Sequence, residues 1–444
     1  MTDDRGKSTK GQGQRARDKG PRTKDRAGRS AVSGQRSAVA GRKGVVLSQR
    51  GAGMPASPIR KLVPYADRAK ARGIKVYHLN IGQPDIETPA EMLRAYRNLD
   101  MRVIAYGPSG GLYDYVEALA GYYRGVGIEA GPENILVTTG GSEAIMFVYD
   151  AVTDPGDEVI IPEPFYTNYA GFAAMLNVNV VPLTTHAEQG FALPPKAAFE
   201  RLITGRTKAI AFSNPGNPTG VVYTRTELEM LRELALEHGL YLVADEVYRE
   251  FIYDPGVEHV SVLSLEGIDD RAIIVDSISK RYSACGSRVG CIVSRNRDIM
   301  AAVLRFGQSR LCPPTVDQVA AKAAISTPPA YFEQVRTEYR ARRDLLCKAL
   351  CEMPGVLCQV PRGAFYTVTK LPVDDAEKFA VFMLEEFDLN GETVMVAPAA
   401  GFYATPGMGR DEVRIAYVLN TRDLARAMEI LKAGLEAYRG SKGS

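Results

Sequence analysis

The apolar positions change their period in a regular way between Asn134 and Ser279. Short runs without helical spacing, "NILVTTGG", "DEVIIPEP", "KAIAFSNP", "YLVADEVY" and "AIIVDSIS", read as strands. Longer segments with apolar residues three and four apart follow the first three of them, "SEAIMFVYDAVTD", "YTNYAGFAAMLN" and "TRTELEMLRELALEHG", and read as helices. Such alternation predicts an α/β architecture, a mostly parallel sheet with helices on both faces. After about Pro314 the pattern becomes a long helical stretch, two β-rich pieces, "AFYTVTK" and "EVRIAYVL", and a closing helix from Thr421. This part is expected to form a smaller α+β domain. The expected divisions are a tail over 1–53, a segment over 54–95 joining the small domain, a large domain over 96–315 and the small domain over 316–444. No internal repeat is visible.

Charge separates the tail from the rest. Residues 1–50 hold 14 Lys and Arg against 4 Asp and Glu, so the remainder of a chain whose formal net charge is +3 is mildly acidic. The tail has almost no large apolar residue before Val45 and cannot offset its ordering entropy by burial, so it is expected to be disordered. Two readings of it stand: a contact with an acidic surface or nucleic acid, or a natural translation start at Met54. It lacks the apolar core of a secretory signal, and no apolar run along the chain approaches bilayer length. Six cysteines (Cys285, Cys291, Cys312, Cys347, Cys351 and Cys358) without such a signal are expected to be reduced thiols in a cytoplasmic protein. The four histidines are far apart and no HExxH occurs, so no metal site is expected; GxxxxGK[ST] is absent too.

The candidate chemistry lies at the carboxyl ends of the strands, where open α/β sheets bind ligands. In "DSISKRYSACGSRVG", Lys280 emerges from a strand among small residues, and Arg288 follows eight positions on. Lys280 is either a solvated charge or an amine placed for a Schiff base with pyridoxal phosphate beside an arginine suited to phosphate. "TTGGSEA" sets Gly140, Gly141 and Ser142 at a strand-to-helix turn, a phosphate seat or a plain cap. "SNPGNPTG" is a rigid turn that could present the Asn217 amide. "VADEVY" ends in Asp245, a carboxylate that is costly there unless a cation or neighbouring backbone meets it.

Six motifs in register, "LNIGQPD", "TTGGSEA", "SNPGNPTG", "ADEVY", "SISKRYSACGSRVG" and "VRIAYV", make the chain from about Met54 to Gly440 resemble the fold-type I, class I/II pyridoxal-phosphate-dependent aminotransferases, of aspartate-aminotransferase-like kind. The resemblance implies that Lys280 carries the cofactor, Asp245 pairs with its pyridine nitrogen, and Asn217 and Tyr248 bond its phenolic oxygen. Tyr166 would stack on the ring, with Phe165 the competing choice. Gly141, Ser142, Ser277, Ser279 and Arg288 would hold the phosphate; Glu143 is given no cofactor contact. Tyr106, in "AYGPSGG", would reach the partner subunit's phosphate, which implies a homodimer with shared active sites. Arg414 would clamp the substrate α-carboxylate, helped by the backbone near Gly82 and by Asn217.

In such enzymes the cofactor is an electron sink, and the freed lysine moves the substrate's α-proton. The expected reaction is ping-pong transfer of an amino group from an L-amino acid to 2-oxoglutarate, without nucleic acid or membrane. "FGQSRLCPPTVDQ" resembles the family segment that crosses the dimer, and Arg310 in it is read either as a surface arginine or as the partner of a distal carboxylate. The second reading gives an aspartate-type donor. The same motifs are compatible with a carbon–sulfur lyase or an aminocyclopropane-carboxylate-synthase-like enzyme. A ligand-sensing regulator would need a folded DNA-binding module before Met54, and the tail has no apolar periodicity to build one.

Overall fold

The computed structural model describes residues 46–55 and 57–442. The expectation of a disordered tail therefore falls mostly outside the described residues. Of its last part, Gln49–Gly53 forms a short exposed helix capped by Ser48, a local order that composition did not suggest.

From Ser48 onward the described residues make one compact unit. Its strands, in chain order, are β1 (Lys75–His78), β2 (Ile135–Thr138), β3 (Glu158–Glu163), β4 (Asn179–Thr184), β5 (Thr207–Ser213), β6 (Tyr241–Asp245), β7 (Ala272–Ser277), β8 (Gly290–Ser294), β9 (Leu357–Cys358), β10 (Tyr366–Lys370), β11 (Glu392–Met395), β12 (Ala397–Pro398) and β13 (Glu412–Ala416). Seven of them form one sheet in the order β2-β8-β7-β6-β5-β3-β4. It is α/β and mostly parallel; β8 alone runs antiparallel to its neighbours β2 and β7.

Both faces of this sheet are covered, which is why its strands are continuous apolar runs. Alternation along the strands sends Leu242, Ala244, Ala272 and Ile274 into one core, and Val243, Ile273 and Val275 into the core on the other face. The helix Arg225–His238 shows how local sequence supports this packing. Leu228, Leu231, Leu234 and Ala235 recur on one side and are buried. Thr224 and Glu227 cap the first turn reciprocally, and Gly239 ends the helix at φ 66°.

A further core gathers the carboxyl-terminal part of the chain. It joins Phe379, Met383, Ile415 and Leu431 to Leu62, Ala66, Tyr77 and Leu79 from the amino-terminal segment. β1 reaches across to pair in parallel with β11, and β9, β10, β13 and β12 form an antiparallel four-stranded sheet. Tyr248, Phe251 and Tyr253, just after β6, pack into the same core. The carboxyl edge of the large sheet and the small sheet therefore meet around these tyrosines and Tyr366, and the cleft lies there.

Candidate active site

Strand β7 delivers its last residues into a tight turn, Ile278–Arg281, capped by the Ser277 hydroxyl. Lys280 stands on that turn. Its Nζ donates to the Gly82 carbonyl at 2.7 Å and lies 3.5 Å from the Cys285 sulfur. Gly82 also accepts from the Tyr366 hydroxyl at 3.4 Å, and a Cβ at Gly82 would stand 1.8 Å from that oxygen. Only glycine lets the backbone approach this closely.

The residues expected to seat a phosphate come together beside the lysine. Ser277 and Ser279 are buried with hydroxyls 2.7 Å apart, and Arg288 donates to Ser279 at 3.4 Å from an exposed, left-handed position. Gly141 and Ser142 open the helix Gly140–Val152, so its first amides and positive end face the same spot. Gly140 holds φ 74°, and a Cβ there would meet the Arg288 guanidinium at 2.4 Å. Glu143 accepts from the Thr139 amide at 2.8 Å, a capping role.

Asp245 ends β6 on the floor of the cleft. Its carboxylate accepts from the Tyr169 hydroxyl at 2.7 Å and from the Val247 amide at 3.3 Å, and among the described residues no cation pairs with it. Burial pushes its pKa up to about 6. Tyr166 is half-buried at the cleft, its hydroxyl accepting from the Asn168 amide at 2.8 Å, whereas Phe165 is buried in the core. The structure thus separates the two neighbouring aromatics, leaving Tyr166 at the cleft. Tyr248 is buried with its hydroxyl 2.9 Å from that of Tyr366.

Arg414, on β13, is 2 % exposed. Its guanidinium donates to Asn217 at 3.3 Å and to the Asn80 carbonyl, lies over the rings of Tyr366 and Phe402, and has no carboxylate partner among the described residues. Its Nε makes no hydrogen bond, and burial lowers its pKa. Tyr169, Tyr366, Asn80, Phe402 and Cys285 escaped sequence reasoning. Tyr169 lies three residues after Tyr166 in "FYTNY", but nothing local sets it apart from a core tyrosine.

Two expected residues are not brought to this cluster within the chain. Tyr106 is 80 % exposed. Arg310, the last residue of the helix Arg297–Arg310, lies 3.3 Å from Glu143 and donates to the Val137 carbonyl at 3.3 Å.

The donor set suits pyridoxal phosphate. A cationic and amide-lined seat matches the phosphate, a half-buried carboxylate without a cation partner matches a protonated ring nitrogen, a half-buried aromatic matches a flat ring, and an amine stands between them. The neighbouring buried guanidinium matches a substrate carboxylate.

Comparison with known proteins agrees with this geometry. Residues 74–431 match the family described as aminotransferase class I and II. An aspartate aminotransferase of Bacillus subtilis is 32% identical over 384 residues, covering 84% of this chain and 94% of that protein. Among solved structures, the aspartate aminotransferase from Thermus thermophilus with maleate superposes with TM-score 0.78 at 31% identity, over 88% of this chain and 100% of that one. An alanine aminotransferase from Pyrococcus furiosus reaches TM-score 0.81 at 30% identity, again over 88% of this chain and 100% of that one. With a family match over most of its length and relatives of this identity on the same fold, the chain belongs to the class I and II, fold-type I aminotransferases, enzymes that work with pyridoxal phosphate.

Proposed function

We propose that this aminotransferase takes the amino group of an L-amino acid, aspartate by preference, and passes it to 2-oxoglutarate in two half-reactions of a ping-pong cycle. The observation that carries the amino-acid reading is Arg414: a buried guanidinium without a carboxylate partner is costly, and a substrate α-carboxylate supplies the missing bidentate acceptor. Asn217, at 3.3 Å, sets the in-plane orientation of that guanidinium.

The chain's own groups then divide the work. Lys280, now held on the Gly82 carbonyl, is the base for the Cα proton and returns it as an acid. Asp245 would hold a proton on the ring nitrogen, and Tyr248 and Asn217 would bond the phenolic oxygen. Gly141, Ser142, Ser277, Ser279 and Arg288 would anchor the phosphate, and Tyr166 would cover the ring. When bound, pyridoxal phosphate supplies the electron sink that makes loss of the α-proton accessible.

Two further parts of the proposal have unequal support. The aspartate preference draws on the aspartate aminotransferases among the relatives and on the neighbour whose structure contains maleate, a dicarboxylate. Against it stands the alanine aminotransferase among the neighbours, and the ion pair that already engages Arg310. A homodimer is supported by the exposure of Val103, Ile104, Tyr106 and Tyr113 (77, 69, 80 and 78 %), an apolar surface that a second copy would cover. Tyr106 would then reach the partner's phosphate.

A screen of the twenty amino acids against 2-oxoglutarate tests the reaction: glutamate should form without net ammonia, fastest from aspartate. Ammonia release in place of glutamate would make the enzyme a lyase. In Arg310→Ala, loss confined to aspartate would place the distal carboxylate on Arg310, whereas equal loss with alanine would leave Arg310 as support for Glu143 in the first turn of the helix Gly140–Val152.

A further inference from the structure

On the reverse face of the strand ends that carry Asp245 and Ser277 lies a buried lattice of charges. Register pairs Asp245 with Val275, so these two share a face with Ser277, while Glu246 and Asp276 point to the other side. There Asp276 accepts from Arg249 at 3.1 Å, from the Tyr123 hydroxyl at 2.9 Å and from Arg281 at 2.5 Å. Arg249 also bonds Glu246 at 2.8 Å, and Arg281 bonds Glu250 at 2.8 Å. Burial disfavours a charged Asp276, but Arg281 and Arg249 outweigh it and hold the carboxyl at about 2. His259, 3.6 Å from Glu246, has its pKa lowered by burial.

The lattice is tied to the site at two points. Asp276 accepts from the amide of Ser277 at 2.7 Å, and Arg281 is the residue after Lys280, turned to the opposite side. Its charges do not cancel: two arginines face three carboxylates. The excess is negative; Glu246 and Asp276, next to the sheet, are 1 % exposed, whereas Glu250 is 15 % exposed at the rim of an open pocket. Apart from this lattice, which includes its neighbour Glu246, Asp245 is faced among the described residues by the tyrosines Tyr149, Tyr166, Tyr169 and Tyr248.

We propose that this lattice is a positioning and charge-setting device for the cofactor. It pins the Lys280 turn from behind, and its uncompensated negative charge acts through the sheet to favour a cation beside Asp245. Asp245 and Asp276 together then hold the ring nitrogen in its protonated form, Asp245 by contact and Asp276 at one remove. The inference rests on the reading that Asp245 meets that nitrogen. It uses low-dielectric electrostatics: a fixed charge a strand away is only partly screened when it is buried, as Asp276 is, and its target, Asp245, is half-buried.

The test is equilibrium binding of two probes to the full-length chain, pyridoxal phosphate and its carbocyclic analogue with CH in place of the ring nitrogen. Asp276→Asn keeps the shape and removes the excess charge. It should weaken pyridoxal phosphate about three- to tenfold and leave the analogue unchanged. The double variant Asp276→Asn with Arg281→Met restores the original charge balance and should recover most of that loss. Equal weakening of both probes, or no recovery in the double variant, would reduce the lattice to a structural role and overturn the proposal. Asp245→Asn is the reference: if it fails to discriminate between the probes, the Asp245 reading itself is wrong, whereas discrimination by Asp245→Asn but not by Asp276→Asn rejects the lattice alone.

Discussion

Lys280 and Asp245 show how single residues acquire chemistry from position. Lys280→Ala removes the one amine that hydrogen-bonds within this cleft and is expected to abolish both turnover and the visible absorbance of the purified enzyme. Retained transamination would remove the residue from its central role. Asp245 predicts a stability effect as well. Its folded pKa of about 6 stands above the ordinary 3.8, so between those values the folded chain keeps a proton that the unfolded chain has lost. Its contribution is therefore full below about pH 4 and is lost as pH rises through 6, on the order of 3 kcal/mol in all. Asp276 runs the other way: held at about 2, it stabilises above pH 4 and fails only in strong acid. Asp245→Asn in the cofactor-free chain should accordingly raise the urea midpoint more at pH 8 than at pH 5, while slowing turnover severely, because an amide cannot balance a protonated nitrogen. The motifs identified Asp245 but not its hydroxyl partner Tyr169, which lies 76 positions away.

At the scale of elements, the proposed site consists of strand ends and the turns that follow them. β6 ends in Asp245, β7 leads into Ser277 and Lys280, β2 leads into Gly141 and Ser142, and β13 carries Arg414 in from the small sheet. These pieces were legible because strand, turn and helix start are contiguous in sequence and use residues with distinct backbone demands. Helix caps act apart from the chemistry. Thr224→Ala removes the acceptor for the Glu227 amide and half of a reciprocal cap. It should cost about 1 kcal/mol in denaturant unfolding and leave kcat within error, since the helix Arg225–His238 supplies none of the proposed site residues. A large fall in kcat would show that the helix governs the position of the Asn217 turn before it.

At the scale of the molecule, the proposed dimer makes its own prediction. Ile104→Glu places a charge among the exposed apolar side chains Met101, Val103, Tyr106 and Tyr113 and should yield monomers by light scattering, with activity lost together with the partner's Tyr106. An active monomer would show that each cleft is complete alone. By itself the sequence determined the α/β architecture, the order of the elements and most residues at the strand ends, because hydrophobic period and turn chemistry are local properties. The tertiary structure alone decided that Phe165 goes to the core while Tyr166 meets the cleft, that Arg310 is held by Glu143, and that Tyr366 joins Tyr248 and Gly82. It also assembled Arg249, Arg281 and Asp276 behind the site. Each of these depends on which buried groups face one another across strands or between sheets. The physical reason is that the cost of a buried charge or hydroxyl is settled by partners distant in the chain, and only packing brings those partners within bonding distance.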